Sequence, residues 1–121
     1  MLQMSNSSND FHGSDLPGYH PARLNPDDAE ALLAINAHLR SPSPEWVSFI
    51  GETLSHWLVE QRVPHGVVDD AKAMWLIERI DEGGEVNSPA ALNLLQRCCV
   101  KAQRVPQRLM QYLQMQEARM A

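Results

Sequence analysis

Glu52, His56 and Glu60 stand four residues apart, and on an α-helix that spacing lines two carboxylates and an imidazole along one ridge. Such a ridge can offer a carboxylate and an imidazole to one transition metal. It lies opposite Ile50 and Leu54 on the helical wheel, so it reads most economically as a solvated polar face, and no second ligand-bearing helix is identifiable. Phe49 sits beside it, and an aromatic on a polar face marks a partner contact or a docking place for the N-terminal segment. A metal-dependent regulator or enzyme using the Glu52/His56/Glu60 ridge is the alternative reading of the chain. The primary expectation assigns no catalytic residue, no cofactor and no metal.

Two further groups carry chemistry. Cys98 and Cys99 are adjacent in a helical pattern, where neighbouring side chains diverge by about 100° and a mutual disulfide would strain the backbone. Arg97 and Lys101 nearby would stabilise a thiolate, yet both cysteines lie beside Leu95 and Ala102 on the expected core side, which favours burial as small apolar residues. Arg97, Lys101 and Arg104 recur at four and three residues and so share a helix face, with Arg108 just beyond Pro106. That stripe could grip an anionic ligand or nucleic acid. Intramolecular pairing or plain solvation accounts for it more simply, because the chain is acidic overall, with a net charge of -5.

The elements that position these groups announce themselves through caps and breakers. Asn25-Pro26-Asp27-Asp28 supplies a capping side chain, a proline at the first helical position and acids at the positive end of the dipole, so helix 1 runs over 26–39 with Ala29, Leu32, Leu33, Asn36 and Leu39 on one face. Helix 2 is expected over 44–62, with Trp46, Ile50, Leu54, Trp57 and Leu58 forming a wide apolar arc that Pro64-His65-Gly66 ends. Helix 3 spans 70–80, with Ala73, Trp75, Leu76, Ile77 and Ile80 available for burial. Helix 4 starts at Ser88-Pro89 and uses Leu92, Leu95, Cys98, Cys99 and Ala102. Val105-Pro106 divides it from helix 5, which carries Leu109, Leu113 and Met120. No stretch alternates as a strand does, so the fold class is all-α: a single compact bundle of about five helices.

A phrase used twice, 18 residues apart, organises the middle of the chain. Residues 66–77 align on 84–95 as Gly-x-Val-(Asp/Asn)-(Asp/Ser)-x-x-Ala-x-x-Leu-(Ile/Leu). Each copy reads as a turn feeding a capped helix, with Asp69 or Asp70 capping the first and Asn87 or Ser88 the second. Neither turn is a calcium loop. With Gly84 at the sixth position of an EF-hand, positions 1, 3, 5 and 12 hold Arg79, Asp81, Gly83 and Ala90, and with Gly66 there they hold Gln61, Val63, His65 and Lys72.

The segments Ser43-Pro44-Glu45-Trp46-Val47, Ala73-Met74-Trp75-Leu76-Ile77-Glu78-Arg79-Ile80 with Gly84-x-Val86 after it, and Val105-Pro106 resemble a group of uncharacterised bacterial all-helical proteins. More distantly, the Gly-x-Val turns entering helices are similar to tellurite-resistance B-type helical domains. The resemblance spans about residues 28–116 and implies an all-helical fold without an activity. Those domains carry acids near their turns, and Asp69, Asp70, Asp81 and Glu82 stand in comparable places here.

With 121 residues and 44% apolar composition, the chain suits one domain, 23–121, preceded by a polar tail over 1–22 expected to be flexible. No apolar run reaches membrane-spanning length, and the N-terminus lacks the pattern of an export signal. A cytoplasmic protein with reduced cysteines is the expectation. Charge is unevenly spread: residues 1–96 hold five basic and fourteen acidic side chains, whereas Arg97, Lys101, Arg104, Arg108 and Arg119 face Glu117 alone in the last 25. The functional expectation is a non-enzymatic helical protein-interaction or regulatory module. An unidentified protein partner is anticipated, with nucleic acid and membrane disfavoured and self-association left open.

Overall fold

The computed structural model describes residues 24–120; the tail expectation over 1–22 lies outside them. The described chain is an all-α bundle of five helices with one very short hairpin. The helices are α1 (Pro26–Ala37), α2 (Pro44–Ser55), α3 (Asp70–Ile80), α4 (Pro89–Lys101) and α5 (Gln107–Met120). Two strands, β1 (Asp81–Glu82) and β2 (Glu85–Val86), pair antiparallel between α3 and α4.

Four of these helices begin where short polar side chains can accept their orphaned first amides. Asn25 Oδ1 accepts from Asp28 N at 2.8 Å while Asp28 Oδ2 accepts from Asn25 N at 3.4 Å, a reciprocal capping box. Ser43, Asp69 and Ser88 accept from Trp46 N, Lys72 N and Ala91 N at 3.1, 2.9 and 3.0 Å. Each such bond contributes about 1 kcal/mol. The apolar stripes then close around a core that includes Leu33, Ile50, Leu54, Leu76, Ile80, Leu94, Leu95 and Leu109, with α2 and α4 as its most extensive pair. Leu39, assigned to the apolar face of helix 1, is exposed because the helix stops at Ala37.

The second helix departs from expectation. After Ser55 it widens into a π-helical segment, His56–Gln61, which Arg62 N closes on Trp57 O at 3.0 Å. A wider turn rotates less per residue, so three consecutive side chains, Trp57, Leu58 and Val59, all stay buried where a regular helix would swing one of them outward. Trp57 meets Trp75 of α3 with ring centroids 5.3 Å apart. Arg62 and Arg79 lie over the two indoles at 5.3 and 4.7 Å, and Arg79 reaches Glu30 of α1 at 3.1 Å.

The repeated phrase also changes on folding. Gly66 and Gly84 both hold positive φ, at 82° and 93°, as the alignment requires. The caps, however, are Asp69 and Ser88, which fall three and four residues after their glycines. The second copy spends its extra residue on β2. Gly83 at φ 65° and Gly84 form the two-residue hairpin loop, and positive φ at both places is what type I′ geometry demands. The copies agree in one respect that the alignment implies: Val68 N and Val86 N both donate into the C-terminal part of the chain, to Arg104 O at 2.9 Å and Gln116 Oε1 at 3.0 Å.

Candidate functional site

The ridge of helix 2 is exposed. Glu52, His56 and Glu60 point away from buried Ile50 and Leu54, but the π segment replaces four-residue stacking with five-residue stacking between His56 and Glu60. Among the described residues no group of three or more His, Cys, Asp and Glu side chains is arranged to hold a metal ion. Phe49 is half-buried rather than standing on the polar face. It packs against the core and tilts against Trp46, ring centroids 5.8 Å apart.

Cys98 is buried and Cys99 half-buried, both as free thiols. Burial pushes the Cys98 thiol from its ordinary 9.0 up to about 12, helped by Cys99, while Lys101 and Lys72 oppose it weakly. Burial likewise raises Cys99 to about 11. Both are protonated at neutral pH, so they lack the thiolate that nucleophilic or redox chemistry needs.

The basic stripe is divided in two. Arg97 Nε donates to Asn93 Oδ1 at 2.7 Å, and the pair lies over Gly51 of α2, where an added Cβ would overlap both side chains. Arg97 thus belongs partly to the α2–α4 contact. Lys101, Arg104 and Arg108 are exposed and make no ion pair among the described residues. Beside them, Asn93, Gln96, Arg97, Val100 and Lys101 line an open groove of about 500 Å³ on α4, flanking its contact with α2. Val100, 85% exposed, is its apolar element.

The polar groups most firmly built into the molecule are ones to which the sequence reading assigned no role, although spacing did place Asn36 on the apolar face of helix 1. Asn36, nearly inaccessible, accepts from Trp46 Nε1 at 2.9 Å and donates from Nδ2 to Ser88 Oγ at 2.8 Å, tying α1 and α2 to the cap of α4. Because an indole only donates, this contact sets the orientation of the amide. Gln116 of α5 spans the hairpin, accepting from Val86 N and donating to Gly84 O, each at 3.0 Å. Tyr112 donates to Asp81 Oδ1 at 2.9 Å, and burial together with that carboxylate raises its pKa. Lys72 is buried at the start of α3. A signal for three of these was present: Asn36 and Gln116 continue apolar stripes (Ala29, Leu33; Leu109, Tyr112, Leu113), and Lys72 aligns on buried Ala90 in the repeat.

Comparison with protein-family models, with curated proteins and with solved structures found no match. Among the described residues, no helix is long and apolar enough to cross a membrane.

Proposed function

We propose that this chain is a non-enzymatic helical interaction module that takes a short acidic segment of a protein partner in the groove on α4. The observation that carries the reading is the groove of Asn93, Gln96, Arg97, Val100 and Lys101, where a highly exposed valine stands between cations and Lys101 has no internal counter-charge among the described residues. An apolar centre with a charged rim is the usual anatomy of a protein contact. The partner is a short segment rather than a nucleic acid, because the acidic remainder of the chain repels a long polyanion whereas a segment confined to the groove meets only the basic end. The setting is the cytoplasm, where two free cysteines stay reduced.

Affinity capture from the native cell with mass spectrometry, run in parallel on the wild type and on Val100→Glu and Lys101→Glu, tests the reading. Both positions are exposed, so the variants should unfold within about 0.5 kcal/mol of the wild type. Partners lost by both variants, and released from the wild type by raised salt, support the α4 surface. Identical capture by all three proteins refutes it.

A further inference from the structure

Lys72 is 5% exposed, yet among the described residues its ammonium is not paired with a carboxylate. Its Nζ instead donates into a ring of backbone carbonyls supplied by the end of the π segment and the turn after it: Pro64 O at 2.7 Å, Val67 O at 2.8 Å, Arg62 O at 3.0 Å and Val59 O at 3.4 Å. An ammonium has three hydrogens, and four oxygens converge on it. That is the arrangement in which loop carbonyls replace the hydration shell of a bound cation. The carbonyl dipoles of the helix end also point their negative ends at the ammonium. A helix end gathers unsatisfied carbonyls and partial negative charge, and here Val59 O takes both Gly66 N at 2.7 Å and Lys72, while Glu60 O is met by the His65 ring at 2.8 Å. Burial nevertheless costs the ammonium its hydration and lowers its pKa below 10.5, a cost that Arg62 adds to and that Asp69, Cys98 and Glu60 offset only in part.

We propose that the 59–67 loop is a cation cradle, occupied by the chain's own primary ammonium, so that a chain lacking the Lys72 side chain will bind a free primary alkylammonium ion at the same four carbonyls. Lys72 aligns in the repeated phrase on Ala90, which is fully buried at the same register of α4. An alanine therefore fits a helix at this place in the phrase, and what distinguishes the first copy is the ring of carbonyls above it. With the ammonium gone, Val59 O keeps Gly66 N but the oxygens of Arg62, Pro64 and Val67 lose the donor they share, and a ligand that binds only the folded form restores stability by mass action.

The test is thermal unfolding of Lys72→Ala in n-propylammonium chloride against tetramethylammonium chloride at equal ionic strength, since the first ion reproduces the missing side chain and the second has no N–H to donate. The midpoint of Lys72→Ala should stand about 4 °C or more higher in n-propylammonium. The wild type, whose cradle is filled, and Lys72→Met, whose side chain fills the space of the lysine stem, should not distinguish the two salts. Equal shifts in all three proteins, or none in Lys72→Ala, overturn the proposal. If Lys72→Ala does not fold in plain buffer, its helical circular dichroism should return in n-propylammonium alone, and failure to return overturns the proposal equally. The wild type offers an independent readout, because its sequence contains only two lysines. By nitrogen-15 NMR the side-chain ammonium protons of Lys72 should exchange with water far more slowly than those of exposed Lys101; equal rates refute the cradle.

Discussion

Asn36 shows how one amide can couple three helices. Its carbonyl is the acceptor for Trp46 Nε1, and its amide nitrogen supplies one of two hydrogen bonds to Ser88 Oγ, the other coming from Ala91 N. A leucine at this place has the same branched outline and greater apolarity, so area alone would favour it. It would nevertheless strand the indole N–H, and an unpaired buried donor costs about 1–3 kcal/mol. Asn36→Leu is therefore expected to destabilise by about 2 kcal/mol in urea unfolding. The cost should shrink by about 1 kcal/mol in a Trp46→Phe background, where no indole donor remains. Additive effects of the two substitutions would show that the bond from Trp46 contributes nothing.

At the scale of elements, the hairpin is the least self-sufficient part of the bundle. Two strands of two residues cannot hold themselves together in water, and an ion pair such as Arg119–Glu85, with both side chains exposed, adds little. What fastens the hairpin is α5, through both ends of the Gln116 amide and through the Tyr112 hydroxyl on Asp81. Gln116→Leu keeps the apolar stripe of Leu109, Tyr112 and Leu113 but leaves Val86 N and Gly84 O without partners. The expected loss is about 2 kcal/mol, with the Val86 amide becoming the first in this region to lose protection in native-state hydrogen exchange. An unchanged Val86 rate would mean that the hairpin is held by its own pairing. The same element logic explains the π segment: α2 must bury Trp57, Leu58 and Val59 together and still end with its carbonyls around Lys72, and a wider turn does both.

Over the whole molecule, the response to alkali follows from which groups burial has displaced. Cys98 and Cys99 hold their protons more tightly folded than unfolded, at about 12 and about 11 against an ordinary 9.0, and Tyr112 is raised in the same sense above its ordinary 10.0. Above pH 9 the unfolded chain therefore releases thiol protons that the folded chain keeps, and stability falls as pH rises toward 12. Lys72 acts oppositely: burial lowers it below 10.5, so the unfolded form holds that proton longer and its contribution rises with pH up to that value. Urea midpoints measured from pH 8 to 11 should decline, and Cys98→Ala, though less stable at every pH, should decline less steeply. Parallel curves would show that the Cys98 proton is not coupled to folding. The all-α class, the starts of the helices and most of the core were legible in the sequence, because caps, proline positions and apolar periodicity act within about one turn of chain. Asp69 and Ser88 capped where short polar side chains stood, and Gly66 and Gly84 turned where glycine allowed it. The candidate surface was legible only in part: the exposure of Lys101 and Arg104 followed from helical spacing, whereas the half-burial of Phe49 and the tie between Arg97 and Asn93 over Gly51 did not. Spacing hinted that Asn36, Gln116 and Lys72 face inward, but only the tertiary structure decided what each of them meets there. Whether a lysine, an amide or a glutamine can enter a core depends on acceptors and donors brought from elsewhere, as Ser88 is brought to Asn36, Val86 to Gln116, and the carbonyls of a widened helix end to Lys72. No local pattern records such a meeting, because desolvation is offset only where the chain has already closed around the group.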